Sequence, residues 1–329
     1  MKAFMTQKAS DGRREKRLIS GLSEPQSPAA NQVKVQTMFT GLTNGTERND
    51  LIAGNYSTPD EKLPAGMGYQ NVGSVIEVGS AVDGVTPGDI VYSGTWLLSD
   101  HAERVTVPAT DFQRFDAFMK LPAGIDPKHA ALFGFSSVGV RICKAADIRL
   151  GERVLVVGLG GLGQIVTQVA SAMGGSVTAC DINVGRLDLA ESIGAADRVL
   201  NTAGRGWPDQ IEDGSFDVVI DVAGVPGMED ALLNAAAVAG RVLFIAGRSR
   251  VDYDFNAGQF KEITIRQIAH FDNDDLEKLT RLVQSGKVRI GPLIQEVVPA
   301  KDCARIYDAL RERPDTLMGI VFSWADGDV

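Results

Sequence analysis

A chain of 329 residues, 44% hydrophobic and 23% charged, is long enough for two globular domains that each bury a core. Its formal net charge of −9 argues against nucleic acid or an anionic membrane as a partner. The longest basic run, Arg13-Arg-Glu-Lys-Arg17, is read as a solvated turn or strand edge. Met1-Lys-Ala-Phe-Met-Thr6 is too polar for a secretion signal, and no apolar run has the length of a membrane span. Three scattered cysteines, Cys143, Cys180 and Cys303, make neither a disulfide framework nor a metal knuckle, so the chain is expected to be cytoplasmic.

The first 125 residues or so read as short strands and turns. Val33 to Met38 alternates apolar and polar residues, Gly73 to Gly79 is a strand closed by a glycine turn, Val85 to Val91 leads into another, and Ala102 to Pro108 makes one more. Helical pattern is scarce there, which predicts a β-rich, barrel-like domain. From about residue 128 the texture changes. Helical stretches at 130–133 and 138–143 precede strand 153–157, helix 161–173, strand 176–181, helix 184–193 and strand 197–200. Strand 216–222, helix 228–238, strand 240–247 and strand 263–268 complete a six-strand set. Uninterrupted Val/Ile/Leu strands separated by helices predict a doubly wound parallel sheet covered on both faces, an α/β fold. Amphipathic helices at 274–285 and 302–312 and a strand at 318–322 follow. The expected division is a catalytic domain of residues 1–127 and 271–329 around a dinucleotide-binding domain of residues 128–270.

The chemistry is clearest after strand 153–157. Gly158-Leu-Gly160-Gly161-Leu162-Gly163 joins that strand to a helix, and Asp181-Ile182 ends the next strand about 20 residues on, the layout of a Rossmann dinucleotide site. Gly158 permits the tight turn, Gly160 lets backbone approach the pyrophosphate, and Gly163 lets the helix sit close to the sheet. The helix N-terminus offers free N–H groups to the phosphates. Asp181 would accept hydrogen bonds from the adenosine ribose and repel a 2′-phosphate, so NAD (NADH) is the expected cofactor. Val222, Ala223, Ala246 and Gly247 end strands that border such a groove.

Beyond these motifs, most of the chain resembles the medium-chain dehydrogenase/reductase superfamily. The resemblance rests on Gly68-Tyr-Gln-Asn-Val-Gly73-Ser-Val-Ile-Glu-Val-Gly79, Val85-Thr-Pro-Gly-Asp-Ile-Val91, Leu150 through Gly163, and Leu282-Val-Gln-Ser-Gly-Lys-Val288 before Pro292-Leu293. It implies a GroES-like catalytic domain packed on a Rossmann domain, with the nicotinamide in the cleft between them, and a homodimer. The departures concern the metal. Where the family's alcohol dehydrogenases carry the zinc ligands Cys and His in T-G-I-C and G-H-E segments, this chain has Thr43, in Thr40-Gly-Leu-Thr43, and Tyr69, in Gly68-Tyr-Gln70. The third ligand position falls on Phe133. Hydroxyl, phenol and benzyl groups do not hold Zn²⁺. Ser93 to Leu98 also lacks the cysteines of the structural-zinc lobe. The chain is therefore expected to be zinc-free, with no metal ligands. Phe39 to Glu47, Gly68-Tyr-Gln and Asp100-His-Ala-Glu103 are most similar to the group that includes bacteriochlorophyllide a dehydrogenase.

Without zinc, hydrogen-bond donors must stabilise the developing alkoxide. Tyr69, Thr43 and Asn44 occupy the positions of the metal cluster, and Tyr69 is the first candidate for proton donor; the alternative is that it only fills the vacated space. Glu47 could anchor a substrate hydroxyl or act as base, against a plain solvated acid. His101 could relay a proton, against a structural histidine. Gln70, Thr95, Trp96 and Leu97 fall where the family's substrate wall lies. On the cofactor side, Arg186 resembles the family's basic residue beside the ribose, and Ser137 aligns with a hydroxyl near the nicotinamide. Thr316-Leu-Met-Gly-Ile320 lacks the Lys or Arg that many relatives place on the pyrophosphate. The expected activity is zinc-independent, NAD-dependent interconversion of a secondary alcohol (a polyol, a sugar derivative or a hydroxyethyl group) and its ketone. The rivals are quinone or enoyl C=C reduction and a catalytically silent dinucleotide-binding protein.

Overall fold

The computed structural model describes residues 1–95, 101–204 and 206–324. The chain divides into two compact units: Met1–Gly134 with Phe271–Glu277 and the tail from Ile294, and Phe135–His270 with Lys278–Leu293. The first unit begins with β1 (Ala3–Lys8), β2 (Arg14–Ile19), β3 (Gln32–Gly41), α1 (Asn44–Leu51), β4 (Asn71–Val78), β5 (Ile90–Gly94), β6 (Arg104–Pro108), β7 (Ala117–Lys120) and α2 (Pro127–Ala130). The hairpin β1–β2 is antiparallel, and β3 pairs antiparallel with both β4 and β6. Along β3, Val33, Val35 and Thr37 are buried while Gln32, Lys34 and Gln36 are half-buried, the period of two that a sheet with one core face imposes. Val33 and Val35 join Val75, Val91, Val105 and Val107 in one apolar core.

Two features of this unit depart from the sequence reading. The basic run Arg13–Arg17 is not a solvated edge: it builds β2, and Arg14 and Lys16 point inward, 7% and 0% exposed. Arg14 donates to the carbonyls of Asp50 (2.9 Å) and Thr58 (2.7 Å) and pairs with Asp60. Charges are buried only where such partners exist, and here the partners come from distant positions. Helix α1 lies in a region read as poor in helix. Its eight residues, NGTERNDL, carry no apolar stripe, yet Glu47, Asp50 and Leu51 are buried.

The second unit follows α3 (Phe133–Ala146) with strict alternation: β8 (Arg153–Val157), α4 (Gly161–Ala172), β9 (Ser176–Asp181), α5 (Val184–Ile193), β10 (Arg198–Asn201), α6 (Gly206–Gln210), β11 (Phe216–Asp221), α7 (Glu229–Ala235), β12 (Ala236–Phe244), α8 (Phe255–Phe260) and β13 (Thr264–Arg266). The six strands form one parallel sheet in the order β10-β9-β8-β11-β12-β13, the doubly wound Rossmann arrangement. Val154, Leu155 and Val156 are fully buried, as a strand covered on both faces requires. The helix expected over 228–238 ends at Ala235. Ala236 already pairs with Phe216, and a register shift then passes over Ala239, at φ +58, and Gly240 before Arg241 pairs with Val218. Sheet pairing overrides the helix preference of the alanine run.

After α9 (Asn273–Gln284), the tail supplies β14 (Glu296–Pro299), α10 (Cys303–Glu312) and β15 (Ile320–Ser323). β15 pairs antiparallel with β3, so the first unit's sheet runs β14-β15-β3-β4-β5-β7. Ile306, Tyr307 and Leu310 of α10 pack with Phe4, Leu42, Phe322 and Trp324 in a second core of this unit. The three cysteines are buried free thiols. Among the described residues, no helix is long and apolar enough to cross a membrane.

Candidate active site

On the second unit, the loop between β8 and α4 is shaped by its glycines. Gly158 sits at φ +95, and a Cβ on Gly163 would stand 1.8 Å from the Gly158 carbonyl oxygen, so only glycine allows the helix this close to the strand. Gly160, the α4 N-cap, has nothing within 4 Å of the place a Cβ would take. That gap is a cradle in which a phosphate group can approach the backbone, facing the unbonded N–H groups of the first turn, Gly161 to Gly163. Asp181 ties the loop to the next strand. One carboxylate oxygen accepts from Leu159 N–H (2.6 Å), the other from Ile182 N–H (2.7 Å) and Asn183 N–H (2.8 Å). Arg186 stands 3.6 Å from the same carboxylate, and Ile182 presents an exposed apolar face beside it. Ser137 Oγ is buried without a hydrogen-bond partner among the described residues. An open phosphate cradle, a strand-end carboxylate and an orphaned hydroxyl fit a nicotinamide dinucleotide.

Val222 and Ala223 are positioned by a group that sequence reasoning missed. Asp221 accepts from Ala223 N–H (3.1 Å) and Gly224 N–H (3.0 Å), and Arg248 bridges Asp221 to Glu229. Arg248 follows Ala246 and Gly247, so one ion-paired cluster fixes both strand ends. No motif marks it, because its three charges lie in separate segments.

On the first unit, Tyr69 is 7% exposed and is hydrogen-bonded by the hydroxyls of Thr43 and Thr46. Burial pushes its phenol up to about 12, the Glu47 charge adds to the rise, and the threonine hydrogen bonds only partly offset it. Tyr69 is thus a protonated donor at neutral pH. Gln70, fully buried, donates to Thr43 Oγ1 (3.0 Å) and to the Gly41 carbonyl (3.2 Å). Tyr92 donates to the Tyr69 carbonyl (3.2 Å). Thr95 is buried in the same unit; Trp96 and Leu97 lie outside the described residues. Asn44 is turned away to donate to the Leu317 carbonyl (2.7 Å). Tyr56, near enough to influence the Tyr69 phenol, is 37% exposed, and no sequence pattern pointed to it.

Behind this group lies a fully enclosed polar hub. Glu47 Oε1 accepts from Thr43 N–H (2.8 Å) and stands 3.2 Å from His101 Nε2. Its Oε2 accepts from Tyr307 OH (2.6 Å) and Lys16 Nζ (3.2 Å). His101 Nδ1 is 2.7 Å from Thr40 Oγ1, which also accepts from Trp324 Nε1 (2.9 Å). Burial by itself would raise the Glu47 carboxyl, but His101 and Lys16 beside it, with the hydrogen bonds of His101 and Tyr307, bring it down to about 2. Glu47 and His101 were expected from sequence and are brought together here; Lys16, Thr40, Tyr307 and Trp324 were not.

The residues that the resemblance assigns to the family's zinc positions are a hydroxyl-bearing Thr43, a buried phenol at Tyr69 and the ring of Phe133, which packs 6.3 Å from the Tyr92 ring. The imidazole and carboxylate next to them, His101 and Glu47, are bonded to each other and enclosed. This donor set does not fit zinc. Among the described residues, the only His/Cys/Asp/Glu group with metal-binding spacing is Asp272, Asp274 and Asp275, elsewhere in the chain.

A Rossmann unit with a dinucleotide cradle, joined in one chain to a β-rich unit that carries a buried, protonated phenol, is the layout of an NAD(P)-linked oxidoreductase. Comparison with known proteins gives the same class. The family described as alcohol dehydrogenase GroES-like domain matches residues 29–125, and that described as zinc-binding dehydrogenase matches residues 161–285. Sorbitol dehydrogenase 2 of Saccharomyces cerevisiae is 26% identical over 339 residues, covering 93% of both chains. D-xylulose reductase A of Aspergillus niger is 28% identical over 317 residues, covering 87% of this chain and 88% of its own. The crystal structure of 2R,3R-butanediol dehydrogenase from Bacillus subtilis superposes with a TM-score of 0.82 at 19% identity, over 98% of this chain and 99% of that one, a likeness of fold. The chain belongs to the medium-chain, zinc-type alcohol dehydrogenase superfamily, and it is an enzyme of that type.

Proposed function

We propose that the protein is a zinc-independent, NAD-dependent oxidoreductase that interconverts a secondary alcohol of polyol or sugar type and its ketone. The observation that carries this reading is the buried Tyr69 phenol, with its Thr43 and Thr46 partners, at the positions of the missing metal ligands. A nicotinamide dinucleotide, when bound, supplies or takes the hydride. In the reducing direction Tyr69 donates its proton to the carbonyl oxygen as negative charge develops there. The transfer is downhill, since an alkoxide is a stronger base than a phenolate. Thr43 and Thr46 orient the phenol, and Gln70 holds Thr43 through its hydroxyl. Glu47 and His101 are fully enclosed, so their part is to support these residues. Thr95, Tyr56, Trp96 and Leu97 are proposed to wall the substrate. A polyol or sugar fits the relatives' named substrates, sorbitol and D-xylulose. The preference for NAD over NADP follows from the Asp181 carboxylate, which repels a 2′-phosphate. The group that includes bacteriochlorophyllide a dehydrogenase remains the proposed subfamily, on the residues around Glu47 and His101. A homodimer is proposed on the family resemblance, to be checked by sedimentation, and a cytoplasmic location on the three unpaired thiols.

The test combines metal analysis with turnover of sorbitol, (2R,3R)-butanediol and D-xylulose, using NAD(H) and NADP(H). Turnover by metal-free protein is expected, with NAD(H) favoured, and Tyr69→Phe should lower kcat about 100-fold, the lower end for loss of a general acid. Stoichiometric zinc, or a Tyr69→Phe variant of full activity, would overturn the mechanism. Activity confined to conjugated C=C substrates, or NADH binding without turnover, would replace it with one of the rival readings.

A further inference from the structure

We propose that the buried Lys16–Glu47 ion pair, with Tyr307, is a positioning cross-link. It holds the segment carrying Thr43 and Thr46 against the segment carrying Tyr69, the two segments that one metal ion ties together where Thr43 and Tyr69 are replaced by its ligands. The inference rests on the reading of Tyr69 as proton donor, and it assigns a role to residues that touch neither substrate nor cofactor.

The bonds form a closed circuit. Starting at the Glu47 carboxylate, one link runs to the Thr43 backbone N–H (2.8 Å). Thr43 then hydrogen-bonds Tyr69 through its hydroxyl. A second link runs from Glu47 to Lys16 Nζ (3.2 Å), and Lys16 donates on to the carbonyl of Met67 (3.3 Å), two residues before Tyr69. A third runs through His101, whose ring lies so close to Gly68 that a Cβ there would stand 2.4 Å from His101 Cδ2. Gly68 holds φ +138, which only glycine adopts without strain, so the backbone beside Tyr69 is shaped to accept the histidine. Tyr307 closes the far side. Its hydroxyl donates to Glu47 (2.6 Å), and Lys16 Nζ stands 4.9 Å from its ring centroid.

Stability alone does not account for this arrangement. Lys16 and Glu47 are both fully buried, and such a pair is often no better for stability than apolar residues of the same volume. What the pair adds is direction. A carboxylate has a fixed set of acceptor sites and an ammonium three donors, and here those sites are divided between the two segments that meet at the Tyr69 hydroxyl. A leucine and a methionine in the same space would fill it without fixing where Thr43 N–H and the Met67 carbonyl lie.

The test is the double variant Lys16→Met/Glu47→Gln, which removes both charges together and keeps the volume. Amide hydrogen exchange is followed in peptides over 42–51 and 66–71. Both should exchange about tenfold faster than in the wild type, while peptides over 153–157 and 176–181 stay unchanged. For NADH-dependent reduction of D-xylulose, kcat should fall about tenfold or more with KM for NADH unaltered, as expected of a misplaced donor. In a Tyr69→Phe background the same double change should cost less than about twofold, because the donor it positions is gone. Unaltered exchange over 42–51 and 66–71 overturns the proposal, and so does an equal loss of kcat with and without the Tyr69 hydroxyl. A Tyr69→Phe enzyme of full activity alongside accelerated exchange removes the donor reading and leaves the cross-link standing. Should the double variant not fold, Tyr307→Phe, which deletes one hydroxyl, should give the same exchange pattern at about threefold, and wild-type exchange in that variant overturns the proposal.

Discussion

Glu47→Gln on its own is expected to be among the most damaging single-atom changes in the first unit. The substitution keeps shape, and its one amide oxygen can still accept from Thr43 N–H (2.8 Å), which leaves the amide NH2 facing Lys16 and the Tyr307 hydroxyl, where the carboxylate had accepted (2.6 Å). It removes the negative charge opposite Lys16, whose side chain is fully buried. An ammonium stranded in this way costs about 3–5 kcal/mol, and with the Thr43 hydrogen bond kept the expectation is at least about 3 kcal/mol. For a unit of this size that corresponds to a melting temperature lower by about 6–12 °C. Urea titration followed by tryptophan fluorescence is suited to the measurement, since Trp324 donates to Thr40 within the hub. Adding Lys16→Met to Glu47→Gln should restore the midpoint to within about 1 kcal/mol of wild type, because no unpaired charge then remains. A loss below about 1 kcal/mol for the single change, or a double variant as weak as the sum of the two, would refute the reasoning.

The same carboxyl sets a pH response. Its value in the folded chain, about 2, lies below the ordinary 4.5. The contribution is therefore complete above about pH 4.5 and is lost as the pH falls from there toward 2, so wild-type melting temperature should drop more steeply over this window than that of Glu47→Gln. At the dinucleotide loop, two glycines should separate stability from binding. A Cβ on Gly163 would lie 1.8 Å from the Gly158 carbonyl, whereas one on Gly160 meets nothing within 4 Å. Gly163→Ala should lower both melting temperature and NADH affinity; Gly160→Ala should keep the melting temperature and weaken NADH about tenfold in a fluorescence titration. Equal behaviour of the two variants would remove Gly160 from the phosphate cradle.

The second unit was legible because its information is local. Val154 to Val157, the glycines from 158 to 163 and Asp181 follow one another closely, and β8, α4 and β9 lie within a residue of where periodicity placed them. The departure is equally local in cause: the alanines after Leu233 have helical character, and only pairing with Phe216 draws Ala236 into β12. In the first unit, the residues at the metal positions could be named, since a motif marks where they stand. Their surroundings could not. Lys16 sits in a basic run that looks solvated, and its burial depends on Glu47, Met67 and Tyr307, each in a different segment. Helix α1 is polar because its inward residues, Glu47 and Asp50, bury charge rather than hydrocarbon. Hydrophobic periodicity has no signal for a core of that kind.

The return of β15 to β3 has a consequence for synthesis. Phe322 pairs with Thr40, and the Tyr307 hydroxyl that caps Glu47 is 260 positions further along the chain. All six strands of the parallel sheet leave the ribosome before that tyrosine, so the unit started second has everything it needs to close first. Meanwhile the last residues of β3, Phe39 to Gly41, lack their β15 partner, and Glu47 lacks one of its bonds. At ordinary elongation rates the wait is on the order of ten seconds to a minute, long enough for a nascent-chain chaperone to find that stretch.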